Sequence, residues 1–154
     1  MSDLVVQRDV QALLTAKLAS GFASATAGGA GNGVVVTGPS IDRLASGSIP
    51  LNAEIMLAYS TTLAATKTLA FTAVSIQDSA DNVTFAAYQA FTDPGVVGTG
   101  AGTLTGVLKL SAALGSARRF IRLLFTPTLS NTATDTASAV ALLNLAGFDR
   151  IPQP

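Results

Sequence analysis

The period of the apolar pattern changes once along this chain. Between residues 4 and 22, Val6, Val10, Leu14, Leu18 and Phe22 recur every four positions, with Ser2 or Asp3 placed to cap and Gly21 placed to stop. That spacing predicts one amphipathic helix. Such a helix has two placements, on the core of its own domain or as an arm docked on a neighbour. In the second, Val6, Val10, Leu14 and Leu18 are contact residues. The stretch ASATAGGAGNG at 23 to 33 carries no apolar period and reads as a flexible linker or loop. The expected organisation is therefore an N-terminal arm with its linker over 1–33 and a body over 34–154.

From residue 34 the pattern becomes short β-rich segments separated by turn residues. Val34 to Thr37 ends at Gly38-Pro39, and in Glu54 to Tyr59 the residues Ile55, Leu57 and Tyr59 alternate with Glu54, Met56 and Ala58. In Leu69 to Ile76 the parity breaks, since Leu69, Phe71 and Ala73 share one phase and Val74 and Ile76 the other. Either both faces of this strand are buried or a bulge resets its register near Ala73. DSADN at 78 to 82 joins it to Val83 to Ala87 as a hairpin, and TDPGVVGTGAG forms a long loop over 92 to 102. Leu104, Leu108 and Leu110 then alternate with Thr103, Thr105 and Lys109, and Arg119 to Thr126 and Ala139 to Leu145 follow. About eight strands without long amphipathic helices between them predict an all-β fold, an antiparallel jelly-roll or Greek-key β-sandwich with an N-terminal helix or arm.

Composition narrows the chemistry. The 154 residues are 49% hydrophobic and only 12% charged, with nine basic and nine acidic residues and no net charge. A charged fraction near half the usual value leaves much of the surface to Thr, Ser, Ala and Gly, and nothing repels a second copy. A partner or self-association is expected to cover part of it. The charge balance excludes a globally basic nucleic-acid footprint. The absence of His and Cys removes disulfides, the common zinc sites, the Ser-His-Asp triad and the Cys-His dyad. Asp3 with Arg8 and Asp9 in the first ten residues fits neither a signal peptide nor a membrane span.

GAGNG at 29 to 33 and GTGAG at 98 to 102 lack the spacing and the strand-to-helix context of a phosphate loop and read as loops between strands. The carboxylates fall mostly in turns, without the convergent pair that acid-base work needs. Asp78 and Asp81 could supply oxygens to a calcium ion, but Asx-turn hydrogen bonding accounts for both. No cofactor and no metal are expected.

SARRFIRLLFTPTL at 116 to 129 holds three of the nine basic residues. Along one strand, Arg119, Ile121, Leu123 and Phe125 face the core, with Arg119 at the solvent-reaching end. Arg118, Phe120, Arg122 and Leu124 take the opposite face. Guanidinium beside aromatic and aliphatic groups suits the anchor of a protein interface. The alternative is a pair of solvated arginines lying over Phe120. Nucleic acid would need more basic and aromatic neighbours than Lys109 provides.

The runs AEIMLAYSTTLAATKTLAFTAVSIQDSADNVTFAAY at 53 to 88 and GTLTGVLKLSAALGSARRFIRLLFTPTLSNTATDTASAVALLNLAGFDRIP at 102 to 152 resemble small structural proteins of tailed-bacteriophage heads. They look most like the jelly-roll cement, or decoration, proteins. The similarity covers roughly 34 to 152 and rests on STTLAATKTL, QDSADNVTF, RRFIRLLFTPTLS and the final GFDRIP. It implies a non-enzymatic virion protein on the outer capsid surface, assembled in the host cytoplasm, that stabilises contacts between major capsid subunits. The implied partners are the major capsid protein and further copies of the chain, a trimer ahead of a dimer, with neither nucleic acid nor membrane. A different class remains: a β-sandwich adhesion or carbohydrate-binding module of a virion tail or cell surface. Two tyrosines and no tryptophan count against it.

Overall fold

A computed structural model describes residues 14–45, 47–130 and 134–148, and among these there are eleven β-strands and no helix. β1 (Leu14–Leu18) and β2 (Ala23–Thr26) both run along β11 (Thr136–Phe148). β3 (Val36–Thr37) and β4 (Ile41–Asp42) both run along β10 (Phe120–Leu129). β7 (Ala86–Ala90) and β8 (Val96–Thr99) both run along β6 (Thr68–Ser79). With β5 (Pro50–Leu63) and β9 (Gly102–Ala113) these form eight lanes, ordered 1-8-3-6 in the first sheet and 2-7-4-5 in the second. All pairings are antiparallel, and that order is the jelly roll. The sequence-predicted strands all appear, most of them longer than expected, but 34–37 is reduced to Val36–Thr37, 83–87 is shifted to Ala86–Ala90, and the 92–102 loop contains β8.

The N-terminal expectation is corrected. Leu14 to Leu18 is a strand, not the end of a helix, and it pairs from Leu14 opposite Ala146 to Leu18 opposite Leu142. Val6 and Val10 lie outside the described residues. A spacing of four is even, so it gathers residues on one side of a strand as well as on one side of a helix. The decisive factor is the edge of β11, whose backbone groups need partners that a helix cannot give. Between β1 and β2, Ser20 closes the gap in the ladder. Its hydroxyl accepts the Ala141 amide at 2.8 Å while the Ala19 and Ser20 amides reach the Ala141 carbonyl at 2.8 and 3.1 Å. Residues 14 to 26 thus form the first lane of the sandwich, on the arm side of the boundary expected at residue 33. The glycine-rich stretch after them is tied down: Asn32 bridges the backbone of Leu129, and the Gly33 amide donates to Pro127.

Between the sheets lie Ile55, Leu57 and Leu143 from the first and Leu69, Phe71, Ile76, Ile121, Leu123 and Phe125 from the second, all essentially inaccessible. Phe71 meets Tyr59 and Phe125 edge-on, each at 5.8 Å between ring centroids. Gly106 is required where Tyr59 crosses β9, because a Cβ there would stand 2.4 Å from the phenol oxygen. Tyr59 in turn donates to the Val97 carbonyl on β8, joining the two sheets.

The parity break in β6 is a bulge. Ala73 and Val74 together oppose Phe125, the register shifts between Leu124 and Thr126, and Ala73 sits at φ 50°. The bulge turns both Phe71 and Val74 into the core. A left-handed alanine carries a Cβ penalty of roughly 1–2 kcal/mol that glycine avoids. Glycine's larger unfolded-state entropy cancels about half of this. Ala73→Gly should therefore stabilise the fold by roughly 0.5–1 kcal/mol, a melting-temperature rise of about 2–3 °C in calorimetry. A fall would show that the bulge does not strain the alanine.

Candidate assembly surfaces

The approach to β10 is shaped by a residue that the sequence pattern did not single out. Arg43, in the turn after β4, is 4% exposed. One terminal nitrogen donates to Pro50 O at 2.7 Å and Leu114 O at 2.6 Å; the other donates to Ala117 O and to Arg118 O at 3.1 Å. The Arg43 amide also donates to Arg119 O at 3.0 Å. Burial pulls the guanidinium pKa below its ordinary value, and the charges of Tyr88 and Asp78 act in the opposite direction. Tyr88, from β7, closes the same corner by donating to Ala113 O at 2.7 Å.

Held in this way, the three arginines of the 116–129 stretch find separate partners on their own chain. The Arg118 amide donates to the buried carboxylate of Asp78 at 2.8 Å, and its Nε stands 3.8 Å from the other oxygen. Arg119 forks onto Asp42, Nε to Oδ1 at 3.1 Å and Nη2 to Oδ2 at 2.7 Å, and lies over the Phe120 ring at 4.9 Å. Arg122 donates to Gln77 at 2.8 Å and stacks on Phe85 at 4.0 Å. Ile121, Leu123 and Phe125 are buried and Phe120, Arg122 and Leu124 half-buried, as strand parity predicts. The ring beneath Arg122 is nonetheless Phe85, and the cation over Phe120 is Arg119.

The expected contact residues are not brought together. Arg118, Phe120 and Arg122 lie on the outer side of the second sheet. Leu14 and Leu18 lie on the outer side of the first, because their partners Ala146 and Leu142 alternate with buried Leu143 and Leu145. The sandwich core separates the two sets.

The carboxylates at 78 and 81 do not converge. Asp78 serves Arg118, while Asp81 accepts the amides of Thr84 and Val83 and the Ser79 hydroxyl, which hold its carboxyl well below the usual range. Among the described residues no group of three or more His, Cys, Asp or Glu is placed to hold a metal ion.

No protein-family model matches the sequence, and no curated protein sequence matches it. A chain from the structure of infectious bursal disease virus, Gx strain, is similar in fold, with a TM-score of 0.51 and 13% identity over 90% of this chain. The described sandwich spans about a third of that neighbour, 33% of its length. The likeness shows the fold and does not reach the tailed-phage decoration proteins.

Two predictions follow from the arginine geometry. Arg43→Ala removes a donor from four carbonyls, of which that of Leu114 keeps another, the Ala117 amide at 3.1 Å, and leaving several such acceptors unsatisfied costs about 3–5 kcal/mol. Melting temperature should fall by roughly 10 °C, and Arg43→Lys should recover only part, since an ammonium cannot reach all four oxygens. Equal stability of Arg43→Ala and the parent would overturn this role.

The Arg119 fork holds the Asp42 carboxyl below its usual value of 3.8, with the Leu44 amide adding to the effect and partial burial opposing it. A lowered folded pKa stabilises the charged form. The stabilisation is complete above the unfolded value and is lost as pH falls through the folded one. Asp42→Asn should therefore flatten the loss of stability on acidification below about pH 4, measured as melting temperature from neutral to acid. An unchanged acid limb would show that the pair contributes nothing.

Proposed function

We propose that this chain is a structural virion protein of the capsid cement, or decoration, class. It binds the outer surface of a phage-type head and stabilises contacts between major capsid subunits. The observation that carries the reading is the jelly-roll fold shared over nine-tenths of the chain with a chain of a virus structure. Three features favour cement over other virion roles. The residues at 53 to 88 and 102 to 152 resemble phage head proteins. The charge content is low, which suits a surface to be covered. The Arg122 side chain is also held in place by Gln77 and Phe85, so little of its entropy is lost when a second protein docks on it. Weak contacts of this kind, repeated over a shell, add up through multivalency.

Quantitative mass spectrometry of purified particles should find the chain in fixed proportion to the major capsid protein. Particles assembled without it should release their nucleic acid at a lower temperature. Arg122→Glu should lower occupancy on particles while leaving the isolated protein folded. A chain missing from particles, or particles equally heat-resistant without it, would refute the proposal.

A further inference from the structure

We infer that the outer face of the first sheet, spanning β1, β11, β5 and β9, is where two copies of this chain pack sheet against sheet about a twofold axis. Antiparallel sheets of sandwiches ordinarily turn polar residues outward. Here a band across the middle of the face is apolar, Leu18 on β1, Val140 and Leu142 on β11, Met56 on β5 and Val107 on β9, while Ser and Thr residues of β2, β11, β5 and β9 fill one end of it. Leu18 and Val107 are 55% and 50% exposed, and Phe22, on the turn beside the same face, is 83% exposed. Shallow depressions indent the face where Phe22 meets Ala58 and Val140, and where Leu14 meets Glu54 and Asn144. Side chains of a facing sheet can enter them.

Charge and area both select a second copy. Among the described residues, Glu54 and Lys109 are the only charged side chains on this face, and they stand 3.9 Å apart. A twofold axis passing between them sets Glu54 against Lys109 of the partner subunit, and Lys109 against Glu54 of the partner subunit. The face is thus complementary to itself, as an isologous contact demands. Four lanes at about 4.8 Å and about 12 residues at about 3.3 Å give a face of roughly 800 Å². Two such faces bury at most about 1,600 Å² on complete overlap, the standard size of a stable interface, and less where the axis lies toward β9. The outer side of the second sheet is unlike it, carrying Arg118, Arg122 and Gln77. A face-to-face contact is twofold, in place of the threefold expected from the sequence.

The inference rests on the virion reading only for its purpose, since the pairing is a property of the isolated protein. Sedimentation equilibrium of the full chain should give twice the chain mass at about 10 µM. Val107→Glu, at a half-exposed position, should weaken the pair at least tenfold, and Phe22→Ser should weaken it without touching the core. Circular dichroism should show the native β spectrum in both, with melting no lower than that of the parent chain diluted until it dissociates. Arg122→Glu, on the opposite side, should leave the pair intact. A monomer at about 100 µM, a trimer, a pair indifferent to both first-sheet variants, or a pair dissociated by Arg122→Glu would each overturn the inference. A monomer that loses particle binding on Val107→Glu would also overturn it, by giving the face to the capsid shell. A pair that forms as stated in a chain missing from particles would defeat the virion reading alone.

Discussion

Arg43 holds the end of the sandwich at which strands leave one sheet for the other. Pro50 starts β5 and Leu114 follows β9, both in the first sheet, while Ala117 and Arg118 lead into β10 in the second. These carbonyls lie where a strand begins or the chain crosses between sheets, and all four aim at Arg43, that of Leu114 also accepting the Ala117 amide. Buried backbone oxygens need donors, and a planar guanidinium with five N–H groups is the side chain able to serve four of them at once. One cation from the second lane thereby sets the position of the β9–β10 crossing. It also fixes the direction in which Arg118, Arg119 and Arg122 leave the surface.

Much of this fold was legible because strand parity is a strong constraint. Ile121, Leu123 and Phe125 on the core side follow from which residues can be buried together, and the parity break near Ala73 marked the place where the structure has a bulge in preference to burial on both faces. Residues 14 to 18 were misread for a physical reason. Val6, Val10, Leu14, Leu18 and Phe22 are spaced by an even number, and an even spacing is silent between helix and strand unless a residue in between breaks the tie. Ala16, on the same outward side as Leu14 and Leu18, is too small to do so. What settles residues 14 to 18 is the unpaired edge of β11, more than 120 residues away, which is a tertiary fact.

The surface sites were less legible still. Sequence parity placed Arg122 outward but could not supply Gln77 or Phe85, which arrive from β6 and from the turn before β7. Arg43 carried no signal at all, because IDRLASGS reads as an exposed turn. Its burial exists only once β5, β9 and β10 have converged upon it. Leu14 and Leu18 were identified as contact residues by a helical argument that does not apply, yet the strand leaves Leu18 exposed and Leu14 half-exposed on an apolar face.

The low charge of the chain is unevenly spread, and that gives the two faces different roles. Arg118, Arg119, Arg122, Asp42 and Asp78 gather around the start of β10, where each cation already has an anion, amide or ring beside it. Such a surface is polar, preorganised and soluble, and it suits a contact made late and reversibly. The outer face of the first sheet keeps one balanced pair, Glu54 and Lys109, beside a central apolar band and among Ser, Thr and Asn side chains. Exposed to water, that face gains little from hydration and nothing repels its own kind. A chain with no net charge and only 12% charged residues stays soluble most readily if such a face is covered. On the inferred twofold pairing, a second copy is the partner that leaves neither Glu54 nor Lys109 unpaired.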